Sequence, residues 1–327
     1  MPDEVQQDSE VRKLWKWLEK QGYSLQMRVA QVFEQAGFEV SQSENYVDPD
    51  ENRFREIDVV ASTSCEFDGL TVSVAFLMEC KHADTPWVVF ASPKHLDKAF
   101  HFSRILRTKL DVRDWHAHDS IQARIVARLL TAPTFEGAGE RGFFSVPGYV
   151  GYGVVQSDLK GSHKENAKGS HKDNAYSAVM QVSSCIRAYD IQDEATFRES
   201  VEDYERRALE TESRVGKLSN YARITFPVVV VRGHLFECCL DQNGDVALSM
   251  VKNSVVLVPS KGIKDAPLVP SCMSAVRIVA EEDIESFAAE AHKAAISLLS
   301  EKKAIQEVWD FECQKLPARR EIDELPF

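Results

Sequence analysis

Three residues suited to hydrolytic chemistry lie in two short runs of the chain. Asp58 sits in Arg55-Glu56-Ile57-Asp58-Val59-Val60-Ala61, while Glu79 and Lys81 end Val72-Ser73-Val74-Ala75-Phe76-Leu77-Met78-Glu79-Cys80-Lys81. Both runs are strand-like, yet each carries an acid where an apolar residue would be expected. Side chains alternate faces along a strand, so Glu79 and Lys81 point the same way. Pairing of the two strands would set Asp58 beside Glu79 and make a pocket of two carboxylates and one ammonium. Hard oxygen anions held together bind Mg²⁺ or Mn²⁺, and a neighbouring lysine can orient or deprotonate a water. These are the parts of a metal-dependent phosphodiesterase. The plainer reading makes Asp58 and Glu79 strand-end residues, with Lys81 as their surface ion-pair partner.

The elements that would position these residues are visible on either side. Leu25, Val29, Val32, Phe33 and Ala36 recur at helical spacing, and Gly37 suits the residue after a helix C-terminus. Phe38-Glu39-Val40 opens a strand, followed by the turn-rich Tyr46-Val47-Asp48-Pro49-Asp50-Glu51-Asn52. Later, Ala178, Val179, Val182, Cys185 and Ile186 form a helix face, with Gln181 and Arg187 beside it. Phe226-Pro227-Val228-Val229-Val230-Val231 then reads as a buried strand ended by Arg232-Gly233.

The order helix, strand, strand with Asp58, strand with Glu79-x-Lys81, helix and Pro-Val strand resembles the restriction-endonuclease-like, or PD-(D/E)XK, nuclease superfamily. It is most similar to the Holliday-junction resolvases and methylation-dependent restriction enzymes. The resemblance covers about 25–81 and, more loosely, 175–235. It implies Asp58 and Glu79 as metal ligands, the main-chain carbonyl of Cys80 as a further ligand, and Lys81 as the catalytic lysine. Many members carry a glutamate on the first helix, and Gln26 stands at that position here. The implied fold is α/β: a restriction-endonuclease-like core with a mixed central sheet flanked by helices, a large insertion and a C-terminal extension.

Bulk properties constrain the setting. The chain has 327 residues, room for one large domain with insertions or for two domains. No apolar run approaches a membrane span and Met1 to Asp8 do not read as a signal peptide, so a cytoplasmic location is expected. The seven cysteines, at Cys65, Cys80, Cys185, Cys238, Cys239, Cys272 and Cys313, include no Cys-x-x-Cys pair, so neither a disulfide framework nor a structural zinc site is indicated. A net charge of −12 is unusual for a free-standing DNA-binding domain and points to transient or partner-assisted engagement of nucleic acid.

Elsewhere, residues 9–21 suggest a short amphipathic helix, and Ser92-Pro93 fits the start of another containing Leu96, Phe100 and Leu106. Residues 160–175 hold a tandem duplication (Lys-Gly-Ser-His-Lys-Glu/Asp-Asn-Ala), read as an exposed loop, either a neutral duplication or a basic flap over nucleic acid. A charged helix is expected over 194–215, strands at 235–240, 247–258 and 274–280, and an amphipathic helix from Asp283 to Leu299. Gly148-Tyr149-Val150-Gly151-Tyr152-Gly153 lacks the lysine and serine of a phosphate loop.

The chain thus divides into 1–107, the N-terminal part of the core; 108–174, an insertion with a mobile loop; 175–240, the remainder of the core; and 241–327, a C-terminal α/β extension. The expected function is Mg²⁺- or Mn²⁺-dependent hydrolysis of phosphodiester bonds in DNA, with a restriction or anti-phage role implied by resemblance alone. The alternatives are an inactive DNA-binding or protein-interaction module of the same fold, and an RNA nuclease.

Overall fold

In the computed structural model, the described residues are 2–67, 70–92, 143, 149–157, 174–189, 192, 220–259, 273–303 and 305–306. The helix expected after Ser92, the periodic stretch at Ile121–Leu130, nearly all of the duplication and the charged segment 194–215 lie outside them. Asn174 and Ala175, the last two residues of the duplicated segment, already belong to a helix.

The chain opens with α1 (Pro2–Gln21) and α2 (Tyr23–Ala36), followed by β1 (Glu39–Asp48), β2 (Arg53–Phe67), β3 (Leu70–His82) and β4 (Trp87–Ser92). After β5 (Val150–Gln156) comes helix α3, spanning 174–189. Strands β6 (Asn220–Arg232), β7 (Leu235–Leu240), β8 (Val246–Met250), β9 (Asn253–Pro259) and β10 (Met273–Ala280) follow, and α4 (Ile284–Ser300) packs last. The strands form one mixed sheet in the order β1-β2-β3-β6-β10-β9-β5-β4-β7-β8. All four segments read from the sequence contribute strands to it, and the C-terminal β10 lies directly against β6.

The local reasons are legible. Helix α2 stops because Gly37 adopts φ 103, letting its N–H reach the Glu34 carbonyl and the Phe38 N–H reach Phe33. Phe38 then turns back onto Phe33, with ring centroids 5.3 Å apart. The segment Tyr46–Asp48, read as turn, continues β1, because Tyr46 is buried and Asp48 is internally satisfied. Asp48 Oδ1 accepts the N–H groups of Asp50 and Glu51, and Arg55 Nε lies 2.7 Å from Oδ2. That staple fixes the β1–β2 turn and hence the register of β2. The single strand candidate at 247–258 is two strands, β8 and β9, separated at Val251-Lys252.

Two apolar layers sandwich the sheet around β3 and β6. On one side α2 and α4 bury Leu25, Val29, Phe33, Ala291 and Leu298 against Met78, Val228 and Val230. On the other, α3 buries Val179, Val182 and Ile186 with Tyr46, Leu77, Val229 and Val231. The four-valine run of β6 therefore serves both faces, as expected of a strand parallel to its neighbour and covered twice. Pro227 lies one residue before the β10 ladder begins at Val228.

Candidate functional site

Strands β2 and β3 pair antiparallel through Val59 opposite Met78, so Asp58 and Glu79 each stand one residue beyond that pair. Met78 belongs to the layer under α2 and α4, and Leu77 to the layer under α3. By alternation Glu79 faces α3 and the Cys80 side chain faces the opposite layer. Strand β3 reaches this point inside the sheet, with Glu79, Cys80 and Lys81 paired in parallel with Val229, Val230 and Val231.

Glu79 is 1% exposed. Its Oε1 accepts a short hydrogen bond from the Lys81 ammonium, and its Oε2 accepts from Gln181 Nε2 at 2.9 Å. Burial, and next the Asp58 carboxylate, push its carboxyl up from 4.5 to about 7, against the lowering pull of Lys81. Asp58 is raised too, by burial, although the Cys80 N–H donates to its Oδ2 at 2.6 Å and holds it down in part. Glu79 and its hydrogen bond hold Lys81 firmly protonated in spite of its burial. The electrostatic picture is of two acids with one partly exposed cation, a site short of positive charge.

Gln26, at the position of the family's helix glutamate, lies beside Asp58. It is 7% exposed, and its Nε2 donates to the main-chain carbonyl of Asp58 at 2.8 Å and to Ser43 Oγ at 3.0 Å. Ser43 has φ 56 and drops out of the β1–β2 ladder between the Gln42–Val59 and Glu44–Ile57 pairs, opposite Asp58. A strained residue thus interrupts the ladder beside the acid, and the Gln26 amide satisfies the Asp58 carbonyl in place of a strand N–H.

Gln181 stood on a helix face in the sequence with no role attached. Its Nε2 also donates to the Glu56 carbonyl, and its own carbonyl accepts from the Tyr46 hydroxyl at 3.2 Å. It therefore fastens α3 to the ends of β2 and β3 while orienting Glu79. A polar residue among the apolar positions of α3 was the one available signal. Arg187, on the same helix, ion-pairs with Asp50 through Nη1 at 2.8 Å. Cys80 is buried, and burial then Asp58 keep its thiol protonated, which leaves its main chain as its contribution.

Among the described residues no group of three or more His, Cys, Asp and Glu side chains is arranged to hold a metal ion. The side-chain donors at this point are Asp58 and Glu79. They suit a hard divalent cation that completes its shell with waters or main-chain oxygens, and the raised Glu79 carboxyl marks a charge such a cation would neutralise. No helix among the described residues is long and apolar enough to cross a membrane. No protein-family model, curated protein or solved structure matches the chain.

Proposed function

We infer that the chain is a nuclease of the restriction-endonuclease-like type, hydrolysing phosphodiester bonds, with DNA as the substrate, and using Mg²⁺ or Mn²⁺. The observation carrying this reading is the buried Glu79, charge-coupled to Asp58 and bridged to Lys81 at the end of a central strand. The order α2-β1-β2-β3, resumed by α3-β6 after the interposed β4 and β5, supports it, with β1–β3 an antiparallel meander and β6 parallel to β3. That order agrees with the core the sequence resembles.

In this mechanism Asp58 and Glu79 would hold the cation, with the Cys80 carbonyl as a further ligand. When bound, such a cation would supply Lewis acidity toward a phosphate oxygen and a water. Lys81 shares a face with Glu79 and is 31% exposed, so its ammonium can reach both that carboxylate and an entering water or phosphate oxygen. Gln181 keeps Glu79 in one rotamer, and Gln26 keeps the Asp58 main chain in place. The ion-pair partner within the site leaves Lys81 as an orienting and charge-stabilising group, since its ammonium is held protonated.

One observation favours a second reading. Both oxygens of Glu79 and one of Asp58 already have partners within the chain, as in an internally satisfied polar network that binds without cutting. Incubating the protein with supercoiled plasmid, single-stranded DNA and RNA, in Mg²⁺, Mn²⁺ or EDTA, separates the readings. Cleavage that needs metal and disappears in a folded Lys81→Ala variant supports the nuclease. Absence of cleavage on all three substrates favours the binding module, and cleavage of RNA alone corrects the substrate.

A further inference from the structure

The two edges of the sheet are built in opposite ways. At one end β1 carries Glu39, Glu44 and Asp48, and Ser43 breaks its regularity with φ 56. Charge and irregularity of this kind keep an edge strand from pairing with another chain. At the other end β8 has the sequence Val-Ala-Leu-Ser-Met, with no charge, no proline and no positive φ. Among the described residues it pairs only with β7, so one row of its main-chain donors and acceptors faces outward.

Its side chains deepen the contrast. Val246, Leu248 and Met250 share one face by alternation, and Leu240 of β7, paired with Val246, joins them. Their exposures are 73%, 58%, 64% and 63%. A regular, uncharged edge strand beside four exposed apolar side chains is the combination that protein surfaces ordinarily avoid.

We propose that β8 is the interface at which two copies of this chain pair, antiparallel, into one continuous sheet. A two-fold axis normal to the sheet requires that facing residues share a side, and centring it on Leu248 sets Leu248 against Leu248 and Val246 against Met250. The apolar faces then merge. This arrangement also brings the acidic turn before one β8, with Asp241 and Asp245, to the end of the other that carries Lys252, which is 65% exposed. Pairing of β8 with the β1 edge of another copy would bury Glu39 and Glu44 against an uncharged strand and would propagate without closing, so the self-complementary edge is the one that closes. The two Asp58–Glu79 sites, on β2 and β3 near the far edge, end up toward the outer ends of the joint sheet.

Sedimentation equilibrium of the full chain, with Leu248→Lys and Val246→Lys beside it, tests the proposal. The wild type is expected to dimerise reversibly. Each lysine variant would be monomeric with an unchanged circular dichroism spectrum, because those side chains are exposed; Leu248→Lys sets like charges against each other across the axis, and Val246→Lys sets a charge against Met250. Leu248→Cys, mildly oxidised, would form a disulfide-linked dimer beyond any given by the wild type treated in parallel. A wild type that stays monomeric, or a dimer that survives both lysine substitutions, overturns the proposal. Metal binding and cleavage are read separately, so neither outcome bears on the nuclease assignment.

Discussion

Replacing Glu79 by glutamine should change how stability depends on pH in a calculable way. The wild-type carboxyl is raised from 4.5 to about 7 in the folded protein, chiefly by burial and then by Asp58. A folded state that holds a proton more tightly than the unfolded chain is stabilised by that group below pH 4.5. The contribution drains away as pH rises through about 7. At about 1.4 kcal/mol per pH unit, the interval between the two values is worth about 3 kcal/mol. Glutamine keeps the shape, can still accept from Lys81 or Gln181, and does not titrate. Urea unfolding of both proteins in EDTA, from about pH 4 to about pH 8.5, should show the wild type losing about 3 kcal/mol relative to Glu79→Gln, with most of the loss between 4.5 and about 7. Curves that stay parallel across this range would mean that Glu79 is not a strained buried acid, and the electrostatic case for a cation site would go with it.

Other parts of the account have their own tests. Gln181→Ala removes a donor to the ionised Glu79 carboxylate, so the titration of Glu79 and the pH at which metal affinity rises should both move upward. Metal titrations by calorimetry at stepped pH would register the shift, and an unmoved profile would reduce Gln181 to a helix fastener. Gln26→Ala leaves the Asp58 carbonyl without its partner and should cost about 1–3 kcal/mol in urea unfolding. Gly151→Ala would set a Cβ 2.5 Å from Val89 Cγ1 and 3.0 Å from the Val255 carbonyl, where β5 meets β9, and should lower stability by about 1–3 kcal/mol.

The strands that carry Asp58, Glu79 and Lys81 were legible because their pattern is local. Alternation alone set Glu79 and Lys81 on one face, and helical spacing with Gly37 bounded the end of α2. The valine run of β6 declared a strand buried on both sides. What could not be read depends on partners distant in sequence. Gln181 meets Glu79 across 102 residues, and being a polar residue on a mostly apolar helix names no partner for it. The strain at Ser43 and its link to Gln26 arise only once β1, β2 and α2 are packed together. Strand β5 was hidden because its glycines interrupt any strand pattern, whereas Gly151 lets Val89 and the β9 backbone approach. The docking of β10 beside β6, which draws the C-terminal segment into the main sheet, is again a long-range parallel pairing with no local signature.

The central claim is that Asp58 and Glu79 together hold a divalent cation, and it can be tested without knowing the substrate. Metal that binds only the folded state stabilises it by RT ln(1 + [L]/Kd), about 2.7 kcal/mol at a hundredfold excess over Kd. Asp58→Asn keeps an oxygen to accept the Cys80 N–H and removes the like charge beside Glu79. In EDTA it should therefore melt no lower than the wild type. Differential scanning fluorimetry of both proteins, with EDTA and with millimolar Mn²⁺, gives a clear answer. The account predicts a metal-dependent rise in melting temperature for the wild type and little or none for Asp58→Asn. Equal rises in the two proteins, or none in the wild type, would contradict it.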